Sequence, residues 1–196
     1  MKILITGGNK GLGLELKKVF NADSLTRAET GTDITKDQDL IAKKSLDYDV
    51  FINNAFDGPP QETWANFAQS TLLIKTFEKW KENNKEGWIF NIGSIASDDI
   101  VSPDPNWETY RVSKKALEHA SAQCSRAFRK NIVKFRTVLI KPDRLDTPLS
   151  RSRDTWTGNG ISTTSISDFI QYCFTLPKNT QIDSITFGLN YNHETK

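Results

Sequence analysis

Apolar residues fall along this chain in two alternating rhythms. Compact runs at Ile3 to Ile5, Tyr48 to Ile52, Trp88 to Ile92 and Phe135 to Ile140 are rich in β-branched and aromatic residues and read as buried strands. Shorter candidates lie at Ser24 to Thr26 and Ser184 to Phe187. Between the strands, apolar positions recur at helical spacing. They do so at Leu12, Leu14, Leu16 and Phe20, over Asp37 to Leu46, over Trp64 to Lys81, over Thr109 to Lys130 and over Ser167 to Leu176. A polar loop leads through Thr32 to Thr35, Asp57-Gly58-Pro59-Pro60 interrupts the chain, and Pro142 stops the strand before it. Repeated strand and helix units with short connections predict a Rossmann-like α/β fold, a doubly wound parallel sheet flanked by helices in a single domain over 1–196, whose ligand sits beyond the strand C-termini.

Composition narrows the partners. At 196 residues the chain fits one domain, and its net charge of +2, from 26 basic and 24 acidic residues, is too balanced to imply nucleic acid or a membrane surface. Cys124 and Cys173 form no C-x-x-C or Cys/His cluster, so neither a disulfide framework nor a metal site is indicated and a reducing cytoplasm fits best. Three consecutive apolar residues before Thr6 are far short of a signal peptide, and no run is long enough to span a bilayer, so a soluble intracellular protein is expected.

Candidate chemistry starts at the first strand. Its turn, Thr6-Gly7-Gly8-Asn9-Lys10-Gly11-Leu12-Gly13, opens directly into a helix. Glycines let backbone approach a ligand, and the unpaired N–H groups and dipole of a helix N-terminus favour an anion such as a pyrophosphate. The spacing differs from G-x-G-x-x-G, and an ordinary glycine-rich loop is the alternative. Tyr110-Arg111-Val112-Ser113-Lys114 stacks a phenol and an ammonium four residues apart on one helical face, where the cation would favour the phenolate. A surface Tyr and Lys without joint role would give the same pattern.

Together these residues resemble the short-chain dehydrogenases/reductases. That family shows T-G-x-x-x-G-x-G in its first turn, matched by Thr6, Gly7, Gly11 and Gly13; N-N-A-G after its fourth strand, matched in part by Asn53-Asn54-Ala55; a serine after its fifth, here Ser94; and Y-x-x-x-K, here Tyr110 and Lys114. Asn66 lies where the family's helix-borne asparagine would be expected, and Pro142 to Pro148 looks like its P-G…T segment over the nicotinamide. The resemblance covers almost the whole chain. It implies an oxidoreductase moving hydride between a nicotinamide cofactor and a ketone, aldehyde or alcohol, with Tyr110 as general acid or base, Ser94 orienting the carbonyl oxygen, Lys114 lowering the Tyr110 pKa and binding ribose, and Asn66 holding a relay water. Residues 1–149 would then form the cofactor-binding and catalytic core and 150–166 a substrate-side loop, with Ser150 to Thr164 its most mobile part. Cofactor contacts would come from Thr6, Gly7, Asn9, Lys10, Gly11, Leu12, Gly13, Arg27, Asp33, Ile34, Asn54, Ala55, Tyr110, Lys114, Pro142 and Thr147. No metal is implied, and members usually associate through their two long helices, giving a homodimer or homotetramer.

Charge separates the cofactors. NAD sites place an acid after the second strand and a 2′-phosphate needs a cation there; here Thr26-Arg27 stands at that point and Lys10 lies inside the turn, favouring NADP(H) over NAD(H) unless both are merely solvated cations. Two departures stand out: Phe56 and Asp143 occupy positions where the family usually has glycine. They leave a dinucleotide-sensing protein of the same fold as the alternative function. The chain also looks trimmed between the second and fourth family strands and after Thr147, which implies a small cap and an open pocket.

Overall fold

In the computed structural model, residues 1–56, 67–98, 105–153, 156 and 158–190 are described, residues 105–107 by backbone alone. Six parallel strands run β1 (Ile3–Thr6), β2 (Asp23–Leu25), β3 (Val50–Asn53), β4 (Glu86–Ile92), β5 (Lys134–Pro142) and β6 (Ser184–Phe187). Their order across the sheet is β2-β1-β3-β4-β5-β6. Strand order therefore reverses at β1, and the C-terminal ends of β1 and β3 flank the crevice where doubly wound sheets bind ligands. The helices are α1 (Gly11–Val19), α2 (Arg27–Thr30), α3 (Gln38–Lys44), α4 (Ala68–Glu82), α5 (Pro105–Arg129), α6 (Pro148–Arg151) and α7 (Thr163–Thr175).

Strand alternation sends side chains to two cores. Ile3, Ile5, Ile52 and Ile140 meet Leu12 and Leu16 of α1 and Ile166 and Ile170 of α7. On the other face Leu4, Phe51, Ile89 and Leu139 pack on Ile41, Leu72, Leu73, Trp80 and Leu117 from α3, α4 and α5. Both faces are covered, which is why the strands read as continuous apolar runs.

Three helices hand over to strands by one device. Asn21, Asn84 and Asn131, just past the ends of α1, α4 and α5, take φ of 46°, 49° and 56°. In each the next residue's N–H reaches back, as Ala22 N to Lys17 O at 2.9 Å, Lys85 N to Trp80 O at 2.9 Å and Ile132 N to Ala127 O at 2.9 Å. These are left-handed caps, with asparagine where glycine is commoner.

Element boundaries differ from the sequence reading in physically simple ways. Arg27 is not the tail of β2 but the first residue of α2, because the Thr26 hydroxyl accepts from Glu29 N and caps a new helix. The helix expected from Asp37 tightens into a 3₁₀ turn at Ser45–Asp47. Pro142 ends β5 from inside, paired with Phe187. The last helix starts four residues earlier than Ser167, at Thr163, capped by the Ser162 hydroxyl. No strand among the described residues lies between β2 and β3, so Asn54 follows the third strand of this chain and Ser94 the fourth.

Candidate active site

The glycine turn is built as a cradle against β3. The Thr6 hydroxyl accepts from Asn54 N and Ala55 N, both at 3.0 Å, and the Asn54 amide returns bonds to Thr6 O at 3.0 Å and Gly7 O at 3.3 Å. Gly7 has φ +75°, and a Cβ there would stand 3.0 Å from Ala55. At Gly13 a Cβ would fall 2.0 Å from Gly7 O and 2.6 Å from the Asn54 amide nitrogen. These glycines are required by close backbone approach, and they leave the N-terminus of α1 bare. Gly11 and Leu14 of α1 line a cleft whose other wall is Thr147, Pro148 and Thr163. Asn9 and Lys10 are exposed beside it, whereas the Leu12 side chain is core and only its backbone faces the turn. The bare helix end, the cradle that tolerates no Cβ and the facing Thr147 suit the pyrophosphate of a dinucleotide.

Beyond β2, Arg27 lies 3.8 Å from Asp33. Asp33 accepts from Thr35 N and the Thr35 hydroxyl at 2.8 Å. Burial works to raise its pKa, but the Thr35 bonds and the Arg27 charge hold it below the usual value. Ile34 is a core residue, 7% exposed. The acid nearest by chain to Arg27, Glu29, accepts from Lys17 at 2.9 Å and Ser24 at 3.0 Å.

Beyond β4, Ser94 caps the 3₁₀ turn Ile95–Ser97, accepting from Ala96 N at 3.2 Å. Its hydroxyl also hydrogen-bonds Tyr110 on α5. The Tyr110 pKa is raised, by burial against the opposing pull of the Ser94 bond and of Arg153. This is the reverse of the direction read from the Tyr and Lys spacing. Burial of the phenol is the larger influence, and Lys114 directs its bonds to other groups: its Nζ donates to Gln69 Oε1 at 2.8 Å and to Ile92 O at 3.2 Å, while sitting 5.6 Å from the Tyr110 ring centre. Burial pushes Lys114 down to about 7.

Phe56 closes the group. Its ring meets Tyr110 edge-on at 5.0 Å between centroids, and Lys114 Nζ lies over it at 4.5 Å. Asp143, the other residue in place of glycine, is accommodated without a left-handed backbone, since the positive-φ residues other than glycine are the three asparagines alone among the described residues. Its carboxylate accepts from Arg144 N at 2.7 Å and Leu189 N at 3.3 Å, tying the end of β5 to the segment that follows β6. Asn66 lies outside the described residues.

Several site residues escape a reading by motif. Gln69, 2% exposed, donates to Asn53 O at 2.7 Å and Ile92 O at 2.9 Å while accepting from Lys114. Asn53 in turn donates to Asn91 at 3.0 Å and to Gln69 O at 2.9 Å. A polar residue inside an apolar run, Asn91 between Phe90 and Ile92, was the available signal, because such groups enter a core only with partners; Gln69, followed by Ser70 and Thr71, carries no such signal. Among the described residues no group of His, Cys, Asp and Glu could hold a metal, and no helix is long and apolar enough to cross a membrane.

Lys114 makes stability depend on pH. Between about 7 and its ordinary value of 10.5, the unfolded chain holds a proton that the native chain lacks, so this group's contribution to stability rises with pH across that window; below about 7 both forms are charged and the burial cost is felt in full. Relative to Lys114→Met, the wild type is expected to gain up to about 1.4 kcal/mol per pH unit there. Urea unfolding at several pH values checks it, and a difference that stays flat would contradict it.

Neither a protein-family model nor a curated protein matches the sequence. Solved structures do match the fold. The 3-ketoacyl-(acyl-carrier-protein) reductase of Brucella melitensis, complexed with NADH, superposes with a TM-score of 0.71 at 19% identity over 94% of this chain and 96% of that one. A short chain dehydrogenase of Burkholderia cenocepacia, in complex with NADP, gives 0.72 at 18% over 96% and 90%. The 3-alpha-hydroxysteroid dehydrogenase of a Pseudomonas species, complexed with NADH, gives 0.75 at 16% over 95% and 94%. The chain thus has the Rossmann-like fold seen in short-chain dehydrogenases and reductases.

Proposed function

We propose that the protein is a short-chain dehydrogenase/reductase that uses NADP(H) to reduce a ketone or aldehyde, or to oxidise the corresponding alcohol. The observation that carries this reading is the meeting of Ser94, Tyr110 and Lys114 beyond the strand ends, beside a glycine cradle that admits no side chain. When bound, a reduced nicotinamide supplies hydride to the carbonyl carbon. Tyr110 gives its phenolic proton to the carbonyl oxygen as that oxygen takes up the electron pair, yielding the alcohol. Ser94 donates to the same oxygen and stabilises its growing negative charge. In its protonated form Lys114, its Nζ 5.6 Å from the Tyr110 ring centre, places an ammonium near the phenol as the phenolate forms. Following NADPH absorbance with a panel of carbonyl compounds tests the reading, and absence of turnover with every compound would refute it. Phe56 over Lys114 favours the alternative of a dinucleotide sensor, for which NADPH would bind without turnover.

Cofactor choice rests on Arg27 and Lys10, with Glu29 already engaged by Lys17 and Ser24. One charge-assisted bond to the 2′-phosphate is worth roughly ten- to a hundredfold in affinity. Arg27→Ala is expected to weaken NADPH by about that factor and NADH hardly at all; equal weakening of both, by fluorescence titration, would sink the 2′-phosphate assignment.

We place the protein in a reducing cytoplasm, which suits two buried free thiols, Cys124 and Cys173. A homodimer or homotetramer is proposed across α4 and α5, where Ile74 and Val112 are 52% and 56% exposed. Light scattering at micromolar concentration is expected to give twice or four times the chain mass, and a monomer would refute it.

A further inference from the structure

The structure assigns to Lys141 the role of a positioning residue that sets the Ser94 hydroxyl, an inference that rests on the catalytic reading above. Lys141 is a charge in the buried strand β5, its side chain only 8% exposed. Its Nζ donates to both carboxylate oxygens of Asp98, at 2.6 and 2.7 Å, and lies 3.5 Å from Glu118 Oε2 on α5. Asp98 is the residue that closes the turn Ser94 opens. Asp98 N donates to Ile95 O at 2.8 Å, Ser97 N to Ser94 O at 3.2 Å, and the Ser97 hydroxyl to Ser94 O at 3.0 Å. Ser94 Oγ is itself held by Ala96 N inside the same turn. The turn therefore has one end on β4 and the other on the Lys141 ammonium.

A further contact ties the same cation to α5. Glu118 lies one helical turn beyond Lys114, so the same cation bridges the Ser94 turn to the helix that carries Tyr110 and Lys114. A buried ammonium must keep its partners, and the partners fix where the turn stands. Small displacements of a group that must meet a reacting oxygen are costly in rate.

The test compares kcat for carbonyl reduction in Lys141→Met and Asp98→Asn, each alone and combined with Ser94→Ala, with Lys141→Arg as the conservative variant. Each single substitution is expected to lower kcat about tenfold or more while leaving the NADPH dissociation constant within about twofold, and to cost little further in the Ser94→Ala background, where there is no hydroxyl left to position. Lys141→Arg is expected to recover most of the loss. Losses that multiply in the Ser94→Ala background, or NADPH affinity that falls in step with kcat, would make Lys141 a general structural residue and overturn the inference. If Lys141→Met fails to fold by circular dichroism, Asp98→Asn carries the same comparison from a side chain that is 49% exposed. A Ser94→Ala variant that turns over as fast as wild type would refute the catalytic reading, and this inference with it; a large Ser94→Ala effect with multiplying losses refutes the inference alone.

Discussion

Tyr110→Phe is expected to lower turnover by roughly a hundred- to ten-thousandfold, the range a positioned general acid supplies. The substitution removes one oxygen and keeps the ring, so the edge-on contact with Phe56 at 5.0 Å survives and the fold is not disturbed. NADPH affinity is expected to stay within a few fold, since the phenol acts on the substrate oxygen and Lys114 keeps its bonds to Gln69 and Ile92. Steady-state kinetics beside a fluorescence titration separate the two quantities. Undiminished kcat would remove Tyr110 from the chemistry and leave the sensor reading as the stronger one.

Gly13→Ala is expected to be the most damaging single-methyl change in the cradle. The new carbon would meet the Gly7 carbonyl oxygen at 2.0 Å and carbon at 2.9 Å, and these are backbone atoms with no rotamer to escape into. Relief requires the turn to move away from β3, which strains the Asn54 bonds to Thr6 O and Gly7 O. Overpacking of this kind costs roughly 1 to 3 kcal/mol in stability. The displaced turn is expected to cost NADPH affinity about a hundredfold, close to 3 kcal/mol. Gly11→Ala makes a useful contrast, because its Cβ would find only Thr147 Cγ2 at 3.9 Å and its penalty comes from φ of +54° alone. A thermal melt and a cofactor titration on both variants check the pair; a Gly13→Ala protein as tight and stable as Gly11→Ala would contradict the close-approach argument.

Much of the architecture was legible because it depends on local pattern. Buried parallel strands announce themselves as short apolar runs, and α1, α4 and α5 by helical periodicity, since each must bury one stripe. The cradle was legible for a similar reason: Thr6 to Gly13 is one continuous stretch. What escaped depends on partners distant in sequence. The tie between Lys114 and Gln69 joins residues 45 apart, and that between Lys141 and Asp98 joins residues 43 apart. The Tyr110 pKa shifts opposite to the spacing argument because helical spacing does not report how deeply the phenol is buried. Arg27 was placed at a strand end because a threonine followed by a charged residue reads the same in a strand exit as in a helix cap, and only the bond from Glu29 N to the Thr26 hydroxyl decides.

The reversal of strand order at β1 also sets when the site can exist during synthesis. β1 is made first yet lies inside the sheet, with β2 on one side and β3 on the other. Its β2 neighbour is available about twenty residues later, but the partners of Thr6 and Gly7 are Asn54 and Ala55, some forty-eight residues on. A nascent chain emerging from the ribosome carries the whole glycine turn long before it carries the wall that shapes it. The turn therefore passes through a stage in which its bare N–H groups are open to water with no second strand behind them. The shape of the turn is thereby tied to long-range strand docking rather than to its local glycine pattern.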